Sequence, residues 1–394
     1  MIGWLMPGKT IEVSLKPEVL RWARESSGST IEDSADRIGV SASSYLRFER
    51  EESKIRLSQL RKLAKYFKRP ITVFLLSDPP SEPKPPADFR ILPGQHRAFE
   101  RGTCLAIRKA SRLQSVASEI LHKLGRDARP SVLNAKIFDD PIKVARRERG
   151  ASGIDITAQF AWQNERSAYR TWRAFLEAKN ILIFQLPIPL EDARGFSLSE
   201  GEPFAIAVST SDAYRPRIFT LFHEYAHLLL RRPGVCLPGK ESQSKSLEAE
   251  VEKWCDQFAG EFLVPGEEFL DFIGTHFPND LESNIGEVLR LASNALKVSE
   301  QVALWRIWDL DLISKSIFHR EMSRLQRLGK NRKRGGGRFS APGKVIGENG
   351  RLFTSLVLEA RGRNLVNYSD VADYLSMKLK YLPQVQSSLT TVAA

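Results

Sequence analysis

The fold is decided by the stretch Phe219-Thr-Leu-Phe-His223-Glu224-Tyr-Ala-His227-Leu-Leu-Leu230. Residues four apart lie on one face of a helix, so His223 and His227 are placed to bind a single Zn²⁺. Glu224 follows the first ligand directly and is placed to take a proton from zinc-bound water. The many Phe and Leu residues around the motif predict a buried helix. The stretch therefore predicts a zinc hydrolase site.

A catalytic zinc site needs a third protein ligand. A second helix is predicted downstream, and its core stripe consists of Leu247, Val251, Trp254, Phe258 and Phe262. Glu252 borders this stripe and is the candidate third ligand, with Glu248 as the reserve. Asp256, one turn later, is placed to orient a ligating histidine. Cys255 is interpreted as a small core residue in preference to a ligand.

Two further parts of the site stay open in the sequence. A peptidase needs a donor that stabilises the oxyanion of its tetrahedral intermediate. Four residues have suitable side chains, and nothing selects one of them: Tyr214, Tyr225, His276 and His319. We also expect the strand Phe204–Val208 to present an edge on which an extended peptide substrate adds as a further strand.

The string F-T-L-F-H-E-Y-A-H-L-L-L, followed by E-K-W-C-D-Q-F-A-G-E-F-L-V-P, resembles the ImmA/IrrE family of metallopeptidases over about residues 150–320. The resemblance implies a mainly helical, zincin-like domain with a small sheet. It also implies that His223, His227 and Glu252 bind Zn²⁺, that Glu224 is the catalytic base, and that the substrate is another protein, often a repressor or antitoxin. Cys255 and Asp256 stand where the family usually has Ala and Asn.

Residues 30–49 have the spacing of a helix-turn-helix, with Thr30 capping one helix, Gly39 in the turn and a recognition helix over residues 42–50. This segment resembles the XRE (lambda-repressor-like) family over residues 17–76. The candidate DNA contacts are Ser41, Ser43, Ser44, Arg47 and Arg50. Because Glu51 and Glu52 lie beside the expected phosphate path, a helical domain that packs on the protease or on a partner is the alternative.

Five prolines among residues 79–86 predict a linker, because proline neither continues a helix nor pairs inside a sheet. We expect an α+β chain in which an all-α helix-turn-helix domain precedes the peptidase domain. The predicted limits are 1–77 (helix-turn-helix), 78–90 (linker), 91–327 (peptidase), 328–338 (basic, Gly-rich loop) and 339–394 (C-terminal subdomain). In the last part, Asn349-Gly350 predicts a hairpin turn, residues 352–358 a strand and Ser369 the start of a helix.

Composition limits the partners. The 394 residues include 59 Lys and Arg against 47 Asp and Glu, and the net charge of +12 favours contact with phosphates or acidic proteins. A basic run from Arg320 to Arg338 is a second candidate phosphate-binding element. Three scattered cysteines, no 18-residue apolar stretch and no signal peptide predict a cytoplasmic protein that does not enter a membrane. A homodimer is compatible with the sequence.

The leading hypothesis is a zinc endopeptidase fused to a DNA-binding domain, which hydrolyses a protein substrate in transcriptional, stress or phage-related regulation. The alternative is a DNA-binding transcriptional regulator or toxin–antitoxin component whose peptidase domain is inactive or conditionally active. Three protein ligands leave one coordination position open, which favours the enzyme, since structural zinc sites are closed by four ligands.

Overall fold

The computed structural model describes residues 11–80, 99–232, 235–236, 247–278, 281–330 and 340–390. The described residues form two compact units, and the boundary between them falls after residue 109. Most of the predicted linker (81–90) and most of the predicted basic loop (331–338) lie outside the described residues. The predicted domain limits therefore stay a prediction. Within the described ranges, no helix combines the length and apolarity that crossing a membrane requires.

The first unit is built from short helices and one pair of two-residue strands. Its elements are β1 (Glu12–Val13), α1 (Pro17–Glu25), α2 (Ile31–Ile38), α3 (Ala42–Phe48), β2 (Ile55–Arg56), α4 (Leu57–Tyr66), a 3₁₀ helix (Ile71–Leu75) and the first turns of α5 (Arg101–Lys123). Helix α5 joins this unit because Arg108 donates a hydrogen bond of 2.7 Å to the carbonyl of Phe67. The predicted all-α architecture is confirmed, and the β1–β2 pair adds to it.

Local capping explains where the helix-turn-helix elements begin and end. The amide of Asp33 donates to Thr30 Oγ1 at 3.0 Å and starts α2. Gly39 ends α2 with φ of +72°, a left-handed conformation that glycine adopts without strain. The amide of Ser44 donates to Ser41 Oγ at 3.2 Å and starts α3. The recognition helix is shorter than predicted, because α3 ends at Phe48.

The second unit is mainly helical around one small sheet. Its helices, after the end of α5, are α6 (Pro141–Ser152), α7 (Ile156–Phe160), α8 (Glu165–Ala178), α9 (Tyr214–Leu229), α10 (Leu247–Leu263), α11 (Gly266–His276), α12 (Ile285–Leu296), α13 (Glu300–Asp309), α14 (Lys315–Lys330), α15 (Ala341–Asn349), α16 (Arg351–Gly362), α17 (Tyr368–Tyr374), a 3₁₀ helix (Leu379–Tyr381) and α18 (Leu382–Thr390). The predicted α+β fold class, a mainly helical domain with a small sheet, is confirmed.

The sheet has the order β3-β5-β4-β6, with β3 (Leu182–Leu186), β4 (Gly195–Leu198), β5 (Ala205–Ser209) and β6 (Val235–Cys236). Strand β5 pairs in parallel with β3 and antiparallel with β4. The expectation that this strand offers an edge to a substrate is wrong, since both of its sides are already hydrogen-bonded. Its continuous apolar run reflects an interior position, as is typical of central strands.

Helix α9 lies at the centre of the second unit, packed against β4 and β5 and against α8 and α10. Phe222 on α9 stacks on Phe262 of α10 at 4.1 Å, and Trp172 of α8 meets Phe222 edge-on at 5.2 Å. These aromatic contacts fix α9 and α10 side by side. Four residues of the predicted α10 stripe are buried, but Leu247 is 45% exposed because the helix only begins there.

The predicted C-terminal hairpin is wrong. Gly350, with φ of +85°, separates two helices, α15 and α16. The buried residues of α16 include Phe353, Leu356, Val357 and Ala360, which follow a helical spacing of three and four. An Asn-Gly pair favours a turn between strands, but here the turn joins two helices. The helix predicted from Ser369 is confirmed as α17.

The C-terminal helices complete the core of the second unit beside β3. Gln185 and Arg173 each donate a hydrogen bond of 2.7 Å to the carbonyl of Gly347. Phe353 meets Phe184 of β3 edge-on at 5.7 Å, and both side chains are fully buried. Residues 340–390 are therefore integral to the unit that contains α9.

Candidate metal centre and nucleic-acid interface

Helix α9 brings two imidazoles to one point. His223 and His227 are one turn apart, each is only 2% exposed, and their Nε2 atoms lie 3.2 Å from each other. Histidine pairs at this spacing project from the same helix face, and here the face is turned toward α10.

Helix α10 adds the third donor. Glu252 Oε2 lies 3.2 Å from Nε2 of His223, and Oε1 lies 3.3 Å from Nε2 of His227. One donor atom from each residue falls within 4.8 Å of the others. Glu248, the reserve ligand, is exposed and is not part of this group. The structure thus brings together the three residues that the sequence singled out as metal ligands.

Asp256 fixes the orientation of His223. Its Oδ1 lies 2.9 Å from Nδ1 of the imidazole. A carboxylate at this nitrogen keeps a proton on Nδ1, which leaves Nε2 as the nitrogen available to a metal. This is the orienting contact that the sequence predicted for Asp256.

The donor set fits a divalent cation. Burial alone raises the pKa of Glu252, but hydrogen bonds from His223 and His227 hold it well below its usual range. Burial lowers the pKa of His227, yet Cys255 and Glu252 outweigh this effect and raise it to about 10. Both shifts have the sign expected where buried imidazoles face a carboxylate. Two imidazole nitrogens and one carboxylate oxygen form a ligand set that Zn²⁺ accepts.

Glu224 is fully buried beside the cluster, and burial raises the pKa of its carboxyl group. The hydroxyl of Ser197, on β4, donates a hydrogen bond to it. Strand β4 lies close to α9 because residue 195 is a glycine. A Cβ atom at this position would lie 2.6 Å from Thr220 Cγ2 and 3.7 Å from Glu224 Cγ. Sequence reasoning missed Ser197 and Gly195. A glycine within an apolar strand was the available signal.

The four candidate oxyanion donors all make contacts with other side chains or with the backbone. Tyr225 donates its hydroxyl hydrogen to Glu148 at 2.6 Å. Tyr214 packs against the ring of Tyr169, His276 bonds through Nδ1 to the carbonyl of Phe272, and His319 packs on Phe318. None of these contacts selects one of the four as the oxyanion donor.

The candidate DNA contacts lie on and around α3. Ser41, Ser43, Arg47 and Arg50 are exposed, and Ser44 is half-buried. The Ser41 hydroxyl caps the helix and lies 2.9 Å from the hydroxyls of both Ser43 and Ser44. Ser43 and Arg47 are one turn apart and share a face. The structure therefore presents a short polar face of α3 that carries Arg47, and Arg50 follows directly after the helix.

The predicted basic run is only partly described. Arg320, Arg324 and Arg327 lie on α14, and the remaining side chains of the run lie outside the described residues. Arg320 and Arg324 both bind the carboxylate of Glu321, at 3.1 and 2.6 Å. Two of the three positive charges on the described part are thus paired within the helix.

Two segments of the chain match known protein families. Residues 176–307 match the M78 peptidase family, described as the IrrE N-terminal-like domain, and residues 20–74 match the helix-turn-helix family. The chain contains both domains. No curated protein and no solved structure shows significant similarity to it.

The match to the IrrE-like domain covers β3 to β6, α9 to α12 and most of α13, and so includes all three clustered donors, Glu224 and Asp256. The helix-turn-helix domain covers α2 and α3 with every candidate DNA contact. The predicted fusion of a peptidase-type domain with an XRE-type domain is confirmed. The first domain supports peptidase activity and the second supports binding to DNA.

Proposed function

We propose that the chain is a zinc-dependent endopeptidase joined to a DNA-binding domain. Its ligands are His223, His227 and Glu252, and its catalytic base is Glu224. The observation that carries the proposal is the convergence of three donor atoms within 4.8 Å, beside a buried carboxylate, in an IrrE-like domain. Scattered cysteines suit a reducing cytoplasm as the place of this activity.

When bound, Zn²⁺ supplies the Lewis acidity that activates water and polarises the scissile carbonyl. Glu224 accepts the proton of the attacking water and delivers it to the leaving amine. Burial favours this exchange, because it raises the pKa of the carboxyl group and so makes Glu224 a better proton acceptor. Ser197 holds the carboxylate, and Asp256 holds His223 in the tautomer that binds metal.

The first experiment measures the metal content of four purified chains: wild type, His223→Ala, Glu252→Ala and Glu224→Gln. We expect about one Zn²⁺ per chain in the wild type, a loss in the two ligand variants and full retention in Glu224→Gln. Full retention in Glu252→Ala would overturn its assignment as a ligand, and Glu248 would be tested next.

The second experiment identifies the substrate. Protein termini are compared between cells that express the wild type and cells that express Glu224→Gln. We expect new termini only with the wild type, in a protein of the repressor or antitoxin kind. Identical termini, together with an unchanged cellular effect of the variant, would favour the alternative of a regulator with an inactive peptidase domain.

We further propose that α3 enters the major groove, with Ser43 and Arg47 facing base edges and Arg50 facing phosphates. Their exposure on one short helix and the following turn supports this assignment. Selection from a random duplex library with the full chain tests it. We expect the Arg47→Ala variant to lose its preference among DNA sequences. We expect the Arg50→Ala variant to bind all sequences more weakly, and its affinity should depend less on the salt concentration. Equal spacing of paired half-sites would indicate a homodimer.

A further inference from the structure

Phe219 is an exception on the helix that carries the two histidines. Between residues 217 and 230, a stretch that the structure describes in full, every residue is buried except Phe219, which is half-buried. Phe219 lies one turn before His223 on the same face of α9, and the centroids of the two rings are 6.2 Å apart. An apolar residue is therefore left partly open to solvent directly beside the candidate metal centre.

The residues of α10 show from which side the centre is open. The side chains of Glu252 and Asp256 are 40% and 59% exposed, whereas both histidines are almost fully buried. A substrate therefore reaches the donor atoms past these two carboxylates and not through the core. Phe219 adjoins this opening, because its ring neighbours that of His223, which faces Asp256.

Helices α9 and α10 run antiparallel beside the opening, in steps of one turn. His227 faces Glu252. One turn earlier on α9, His223 faces Asp256, which lies one turn later on α10. The same step taken once more brings residue 219 of α9 opposite residue 260 of α10.

Residue 260 is a glycine, and the space in front of it is empty. A Cβ atom added to Gly260 would meet no atom within 4 Å apart from the backbone of its own helix, so the ring of Phe219 does not fill this space. The two helices thus leave a notch one turn from His223. The ring of Phe219 forms one side of the notch, and the bare backbone of Gly260 forms the other.

We propose that the notch between Phe219 and Gly260 is a subsite that binds an apolar side chain of the protein substrate, on a residue next to the scissile bond. This inference rests on the proposed function, because it places the scissile carbonyl at the metal. Four residues advance a helix by about 6 Å, a distance that one such side chain spans. Covering the exposed part of Phe219 removes apolar surface from water, so the subsite selects a large aliphatic residue such as leucine or methionine.

The test uses two peptide-like hydroxamates, whose hydroxamate group binds Zn²⁺ directly, so that binding is measured without catalysis. They differ only in the substituent next to the hydroxamate group, which is isobutyl in one and methyl in the other. Calorimetry gives their affinities for the zinc-loaded full chain. One methylene in an apolar pocket changes affinity by about 10- to 200-fold, and a partly open notch belongs at the lower end, so we expect the isobutyl compound to bind about 10-fold more tightly.

Substitutions on both sides of the notch locate the subsite. Gly260→Leu fills the notch from α10 and should abolish the preference for isobutyl while the zinc content stays unchanged. Phe219→Ala removes the apolar wall and should reduce the preference, again at full zinc content. Gly274→Leu is the matched control, because Gly274 is an exposed glycine of α11 with equally open space around it, and this variant should keep the preference.

Four results would overturn the inference alone. The first is equal affinity of the wild type for both compounds, and the second is a preference that survives in Gly260→Leu. The third is an equal loss of preference in Gly274→Leu. The fourth is a zinc-loaded wild type that binds neither compound, since its opening would then admit no substrate. A wild type that holds no zinc would overturn the proposed function together with the inference, and metal analysis separates this result from the other four.

Discussion

His223 is held through both of its ring nitrogens. Nε2 faces Glu252 and His227, and Nδ1 faces Asp256, which is more than half exposed at its side chain. The exposure of Asp256 means that its carboxylate serves the imidazole and not the packing of the core. A substitution of Asp256 should therefore change metal binding without changing the free energy of unfolding.

We expect Asp256→Ala to weaken Zn²⁺ binding by about 10- to 100-fold, because the orienting acceptor of His223 is lost. The urea unfolding midpoint of the metal-free chain should change little, since the side chain is exposed. Glu250→Ala removes an exposed carboxylate from the same helix and is the control, with no expected effect on metal binding. Titration with a chromophoric chelator measures both variants, and equal affinities would contradict the prediction.

Metal binding should depend steeply on pH. The metal-free cluster holds a proton at neutral pH, since the pKa of His227 is raised to about 10 while Glu252 stays ionised. Binding of a cation displaces this proton, so the apparent affinity should rise by about tenfold per pH unit below that pKa. Calorimetry in buffers of different ionisation enthalpy should show the release of a proton. Proton uptake, or none released, would contradict the prediction.

At the scale of elements, the close contact between β4 and α9 places Ser197 beside Glu224. The contact depends on Gly195, since an added Cβ would lie 2.6 Å from Thr220 Cγ2 and 2.8 Å from the carbonyl oxygen of Ala207. Neither neighbour has space to yield, because Thr220 is 1% exposed and Ala207 belongs to the central strand. The strand would have to move away from the helix.

We therefore expect Gly195→Ala to destabilise the second unit by about 1–3 kcal/mol, the usual cost of overpacking a core. Gly260→Ala is the matched control, because this helical position has open space around it. There alanine should stabilise by up to about 1 kcal/mol through its higher helix propensity. Urea unfolding of the two variants should thus shift in opposite directions. A shift of the same sign would contradict the packing argument.

At the scale of the whole molecule, the C-terminal helices are tied into the core by Phe353. This side chain is fully buried against Phe184, whereas Phe138 is 78% exposed. We expect Phe353→Ala to destabilise the second unit by about 3–5 kcal/mol and Phe138→Ala to change it little. Thermal unfolding monitored by circular dichroism measures both. Equal midpoints would show that residues 340–390 are dispensable for the core.

Across the molecule, the sequence predicted those features that depend on local spacing. The four-residue spacing of His223 and His227, the cap at Thr30 and the border position of Glu252 all follow from helical periodicity. The hydrogen bond from Ser197 to Glu224 could not be predicted, because it depends on how β4 lies against a helix that follows it in the chain. Helix α16 differs from the predicted strand because the turn signal at Asn349-Gly350 does not specify whether strands or helices flank it, whereas the apolar spacing after it is helical.

The packing of α15 and α16 beside β3 has a consequence for biosynthesis. A ribosome releases residues 340–390 well after the motif-bearing helix α9 and its partner α10. Until then the ring of Phe353 does not cover Phe184, so the nascent peptidase unit exposes apolar surface. Chains with exposed apolar surface aggregate or bind chaperones. A chain interrupted before residue 340 would carry all three donors and still lack a finished core. The helix-turn-helix unit, by contrast, is fully synthesised early, so it can fold while the rest of the chain is still being translated.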